Sequence, residues 1–241
     1  MATTDFVTKL ADKFDPLYEK IRGGYIGVLA TIVGVITIVI ASLLFYSVEP
    51  FTFYTHWISN LGGVVTNGGQ FPNGSNIVFA IGLITVGILA IPFMLYVAKV
   101  ILDGEQKYSI LVVIFVLFGI ITLLGIVGVA LFDMKSQPIL HVVFAALFFL
   151  GSFLMVLIYS ISLFFNSKIS WLHGAFSLAI ATVSAIFLLT LVPHIAQGGD
   201  IAALIVSTGP ELSVSRFWEW MFLFAIFSWL FETGVLMLKQ Q

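Results

Sequence analysis

The chain has 241 residues, 60% of them hydrophobic and 9% charged, with a mean hydropathy of +1.13 and a formal net charge of −2. A water-soluble domain carries roughly 25% charged residues, so this much apolar surface calls for lipid as the solvent, and the near-neutral balance gives no basic field for nucleic acid. The absence of cysteine excludes disulfides, thiolate metal sites and cysteine nucleophiles.

The first 23 residues are polar but patterned. Phe6, Leu10, Phe14, Leu17 and Ile21 recur at spacings of three and four, with Lys9, Lys13, Lys20 and Arg22 between them. This spacing predicts an amphipathic interfacial helix on the inner membrane surface, bent at Pro16. The apolar run that follows is long enough to span rather than to serve as a cleaved leader.

Six runs reach the ~20 apolar residues a membrane-spanning helix needs, at about 24–48, 76–98, 108–132, 139–165, 169–193 and 216–238. The expected fold is an all-α, polytopic membrane protein: a six-helix transmembrane domain over 24–238 behind a cytoplasmic segment, 1–23. The second connection carries the turn pair Asp103-Gly104, the third ends in Pro138, suited to a first helical turn, and the fourth is only Asn166–Lys168. Short loops make consecutive helices antiparallel neighbours. Gly23 with Gly27, and Gly119, Thr122, Gly125 and Gly128, form stripes of small residues that permit close helix contact. No internal repeat is evident, which gives an inverted-repeat transporter little support.

Eight of the ten basic residues (Lys9, Lys13, Lys20, Arg22, Lys99, Lys107, Lys168 and Lys239) fall on one side of these spans, and only Lys135 and Arg216 on the other. The positive-inside rule then places both termini in the cytoplasm of a cell-membrane protein, with the long first and fifth loops outside.

Ionisable groups gather on the outer side: Glu49, His56, Asp133, His141, His194, Asp200, Glu211, Arg216 and Glu219. Asp133 closes the third run, His141 opens the fourth and His194 ends the fifth. Together they could hold zinc or another divalent ion, or Asp133 could orient a histidine for acid–base work. The same residues also suit helix caps at the headgroup level, and no contiguous metal motif or cofactor signature is present. Asp133 and His141 are expected within hydrogen-bond reach. Arg216 and Glu219, three apart, can pair along the sixth helix, with Trp218 and Trp220 as an aromatic belt. Within the membrane, Glu232 needs a partner, and His173 is the best placed. This pair is also the one candidate for a proton or cation path.

The first loop is the most distinctive stretch. Its aromatic and aliphatic residues, among them Phe51, Phe53, Tyr54, Trp57, Ile58 and Leu61, are expected to fold back over the bundle, with Ser59 and Asn60 hydrogen-bonding the backbone of the turn. Asn73-Gly74-Ser75 is a glycosylation triplet, but close to the second helix.

The stretch Tyr54-Thr55-His56-Trp57-Ile58-Ser59-Asn60-Leu61-Gly62, then a proline, then a second helix opening with Asn76 and carrying Gly82 and Gly87, resembles a widespread prokaryotic six-span family of unknown function with an Ile-Ser-(Asp/Glu)-Leu-Gly motif. Phe132-Asp133 and His141 are similar to that family's second hallmark. More distantly, the chain resembles the DRAM-type autophagy modulators and the six-span proteins of GPI-lipid remodelling. The likeness runs from about residue 24 to 165, and Asn60 stands where the family has an acid. It implies a membrane-embedded fold and a lipid-facing role, without an established reaction.

The leading functional reading is an outer vestibule that binds lipid headgroups through His56, Trp57, Ser59, Asn60, Arg216 and Glu219. Membrane lipids, other membrane proteins or further copies of the chain are its partners. The alternatives are a metal-assisted or acid–base lipid hydrolase, a small transporter or channel, and a structural subunit of a membrane complex.

Overall fold

A computed structural model describes residues 2–102, 109–196 and 209–240. Among these are eight α-helices and no strand: α1 (Ala2–Asp12), α2 (Asp15–Tyr18), α3 (Gly23–Tyr46), α4 (Ser75–Leu102), α5 (Ser109–Leu131), α6 (Pro138–Phe164), α7 (Trp171–Ala196) and α8 (Ser213–Lys239). Short 3-10 turns cover Ile58–Gly62 and Pro210–Leu212. Helices α3 to α8 are each long and apolar enough to cross a membrane. The fold is an all-α polytopic bundle. The turn pair Asp103-Gly104, and Lys107 and Asp200, lie outside the described residues.

Consecutive helices pack on one another, and α8 returns to α3, so the six spans close into a ring in chain order. Small residues set the seams. Gly23 and Gly27 of α3 lie under Tyr96 and Phe93 of α4, and Gly125 and Gly128 of α5 lie under Phe148 and Phe144 of α6; none has room for a Cβ. Without a hydrophobic drive between helices in lipid, this close fit supplies the attraction. Aromatic side chains fill the ring: Phe115, Tyr159 and Trp229 meet at one level, and Phe149, Phe187 and Phe222 at another. Leu43, Ile81, Ile88, Leu124 and Leu189 point outward and are exposed, as lipid-facing residues are.

Gly24 packs against Gly234 and Leu238, so both chain termini lie at one end of the ring, here the terminal end. There α1 packs on α4 and α5, with Val7 and Ala11 buried. The break after Asp12 comes before Pro16, not at it, because the proline takes an early position of α2, where its missing N–H costs nothing. Tyr18 Oη donates to the Pro92 carbonyl at 2.7 Å, and Lys99 Nζ meets Asp15 at 2.7 Å and Asp12 at 2.9 Å. Burial, with the charge of Asp15 beside it, holds the Tyr18 phenol well above its usual range.

Candidate functional site

At the opposite end the chain between α3 and α4 folds over the ring as a roof. Trp57, Ile58 and Leu61 are buried beneath it. Such a segment must satisfy its backbone polar groups locally, and side chains from the helices do this. Glu219 of α8 accepts the Ile58 N–H at 2.7 Å, Trp220 Nε1 donates to the His56 carbonyl at 3.0 Å, and Ser75 Oγ donates to the Leu61 carbonyl at 2.7 Å. Asp133, after α5, accepts the Val64 N–H at 3.1 Å, and Lys135 Nζ donates to the Thr66 carbonyl. Arg216 Nη1 donates to the carbonyls of Gly209 at 2.9 Å and Tyr54 at 3.4 Å, and its guanidinium lies 5.6 Å from the Trp57 ring centre.

A second clasp lies within the roof. Glu49 Oε1 contacts His56 Nε2 at 2.7 Å, and Glu49 Oε2 accepts the Gly68 N–H at 2.7 Å. Burial works against the Glu49 charge, but the Gly68 amide, His56 and Thr66 outweigh it and hold the carboxyl below its ordinary value. For Lys135 burial prevails over the attraction of Glu49 and Asp133, and its ammonium titrates below the usual lysine range.

Under the roof is a cavity of about 30 Å³, room for one or two waters. Its polar lining comes from three places: Ser59 in the roof, His141 in the first turn of α6 and Glu219 in α8. His141 is 3% exposed and Glu219 4%. His141 Nδ1 lies 2.8 Å from the Phe132 carbonyl, which can only accept, so Nδ1 carries a proton and, in the neutral ring, the lone pair is on Nε2. The rest of the wall is apolar, including Phe79, Leu83 and Phe149. Ile126, Phe148 and Leu223 line both this chamber and a mainly apolar cavity of about 50 Å³ deeper in the ring, which Met94, Thr122, Met155 and Trp229 also line. The interior thus has a polar top and an apolar shaft below it.

The residues expected from sequence distribute unevenly. Asp133 and His141 are not joined by a hydrogen bond, as a hairpin clasp would have it. The Asp133 carboxylate is spent on the amides of Val64, Lys135 and Ser136, and the His141 ring turns inward to the Phe132 carbonyl. His194, in the last turn of α7, is half-buried and takes no part. No three histidine, aspartate or glutamate side chains among the described residues converge as metal ligands, so Asp133, His141 and His194 do not form the metal or acid–base trio. Arg216 and Glu219 both bond the roof backbone, and their opposite charges also attract along α8. Trp220 is buried, not a belt residue, because its indole N–H is needed by His56. Ser59 and Asn60 do not hold the turn with their side chains: Ser59 Oγ faces Met134 Sδ at 3.7 Å, and Asn60 Oδ1 is buried without a partner. Asn73 Nδ2 donates to Ser47 Oγ at 3.0 Å.

Within the bundle near the terminal end, His173 Nδ1 and Glu232 Oε1 are in direct contact, joining α7 to α8. Tyr159, Ser177, Thr233 and the Trp229 indole nearby are buried. What sequence left unread is the chamber itself, where Glu219 and His141 face one cavity from helices far apart in the chain. The available signal was a carboxylate among the aromatic residues of a spanning helix, a costly placement without a buried donor.

The architecture and site define a polytopic membrane protein with a roofed interior chamber. No family model, curated protein or solved structure matches the chain.

Proposed function

We propose that the protein binds a membrane amphiphile at its roofed end, with one water-sized hydroxyl or amine of the head in the chamber and a few carbons of the hydrocarbon in the apolar cavity below it. The observation that carries this reading is the shared wall. Two buried ionisable side chains, Glu219 and His141, line one cavity with the Ser59 hydroxyl, and the rest of its lining is apolar. Ionisable groups are costly in a membrane interior and mark sites of polar recognition. The carboxylate and imidazole fit a head that offers hydroxyl or amine donors, and the shaft fits an alkyl chain. The basic asymmetry of the sequence favours a cell-membrane orientation with cytoplasmic termini, which puts the chamber at the outer leaflet.

The test is quantitative lipid analysis of protein purified in mild detergent. A polar lipid should accompany the wild type and fall about tenfold in Glu219→Gln and in His141→Phe, the effect of losing one polar contact. An unchanged lipid profile in both variants, with the helical fold retained, contradicts the proposal.

A further inference from the structure

On the outside of the ring, between α3 and α8, runs an apolar groove of about 370 Å³. Val35, Val39 and Leu43 of α3 form one bank and Phe224 of α8 the other, all exposed on the face that meets the bilayer. Its upper end is closed by roof aromatics. Phe51 stacks on Trp220 with centroids 5.8 Å apart and planes 11° apart, and Phe53 lies 4.9 Å from the same indole. Trp220 faces this groove while its neighbour Glu219 faces the chamber.

One side chain belongs to both worlds. Phe227 of α8 lines the outer groove and also the apolar cavity inside the ring, and it is only 4% exposed. Its ring rests on Gly34 of α3, where an added Cβ would come 2.5 Å from Cζ. One aromatic ring, seated on a glycine, is therefore shared by the outer groove and the interior cavity. The backbone beside it is held across the seam by a long contact, Thr31 Oγ1 to the Phe227 carbonyl at 3.4 Å. An aromatic ring of this kind can swing about its χ angles without breaking a hydrogen bond of its own.

We infer that the α3–α8 seam is a lateral entry for one acyl chain of a bilayer phospholipid, with Phe227 as its gate. This rests on the reading that the ring interior hosts an amphiphile, and it names the substrate class as a membrane-resident lipid in place of a water-borne one. The groove lies on two membrane-spanning helices, so hydrocarbon chains are what it meets. It shares Phe227 with the inner cavity, and Phe51, Phe53 and Trp220 line its upper end. A chain lying in the groove reaches the interior cavity by displacing Phe227.

The experiment places the full-length protein in phosphatidylcholine vesicles containing a phosphatidylethanolamine with a mid-chain diazirine, whose amine is a donor, followed by irradiation and peptide mapping. Labelling is expected at the lipid-facing Val39 and Leu43 and also at the interior Met155 and Trp229. Phe227→Ala should raise the interior labelling several-fold, Phe227→Trp should lower it, and neither should change the labelling of α3. Phe227→Leu keeps the core filled and serves if the alanine variant does not fold; it should give an intermediate rise. Labels confined to lipid-facing residues in every variant overturn the entry. If interior labelling follows Phe227 but co-purified lipid ignores Glu219 and His141, the headgroup reading falls and the entry stands. If co-purification depends on Glu219 while labels stay outside, the entry alone falls.

Discussion

The two ends of the ring use charge in opposite ways. At the roofed end, carboxylates are matched to backbone N–H groups: Glu219 to Ile58, Asp133 to Val64, and Glu49 to Gly68. At the terminal end, Lys99 pairs with Asp12 and Asp15, all three with side chains about a third to a half exposed. The Glu219 bond is fully buried. Removing such an acceptor leaves a donor stranded, which costs more than the bond was worth. Exposed pairs such as Lys99 with Asp15 exchange one hydrated partner for another and contribute little. The lesson is that the roof is fixed by polar contacts whereas the terminal end rests on packing, with α1 held by Val7 and Ala11.

The sharpest way to break this contrast is Glu219→Ala. It strands the Ile58 amide and should destabilise the protein by about 2–3 kcal/mol, seen as a lowered Tm in detergent and faster hydrogen exchange at Ile58. Glu219→Gln keeps an acceptor oxygen and should lose clearly less, which separates the roof's stability from the chamber's charge. If alanine and glutamine behave alike and both resemble the wild type, the roof is not pinned by Glu219.

A smaller effect concerns pH. Folding lowers the Glu49 carboxyl from its ordinary 4.5, so the unfolded chain binds the proton more readily. The stabilisation is then complete above 4.5 and is lost as pH falls through the lower, folded value. Exchange protection of the Gly68 amide should hold from neutrality down to that range and then collapse, and Glu49→Gln should remove the step. Loss of protection already near neutral pH would contradict the Glu49 carboxyl as the group that sets the step.

The smallest effect is expected at Lys99→Ala, about 1 kcal/mol or less, because the pair is exposed. Protection of α1 should fall slightly while Ile58 is unchanged. A loss as large as that of Glu219→Ala would erase the distinction between the ends.

The spans were legible because lipid demands them: some twenty apolar residues in a row have few other uses. Boundaries were less so. The α4 helix runs through Lys99 to Leu102, since a lysine near a helix end can extend its charge to the interface and need not end the helix. The His173–Glu232 contact was readable too, because a carboxylate in the bundle needs a donor and the tight α6–α7 turn places His173 near the right level. The roof's bonding was not. Ser59 and Asn60 looked like turn-holders by residue type, yet the turn is held by Glu219, from a helix 160 residues away, and by Ser75. The expected trio failed for a related reason: which donors compete for a carboxylate is decided in three dimensions, and three amides reached Asp133 before any histidine. Glu219 and His141 facing one cavity is a product of ring closure, which periodicity does not encode.

The most direct test of the chamber is an experimental structure of the wild type in nanodiscs made from its native lipids. The expected result is non-protein density between His141 and Glu219 beneath the roof, extending past Leu223 toward Trp229, with Phe227 displaced from Gly34 where a chain crosses the seam. A roof closed over water alone, with ordered lipid only on the outer surface of the ring, would contradict it.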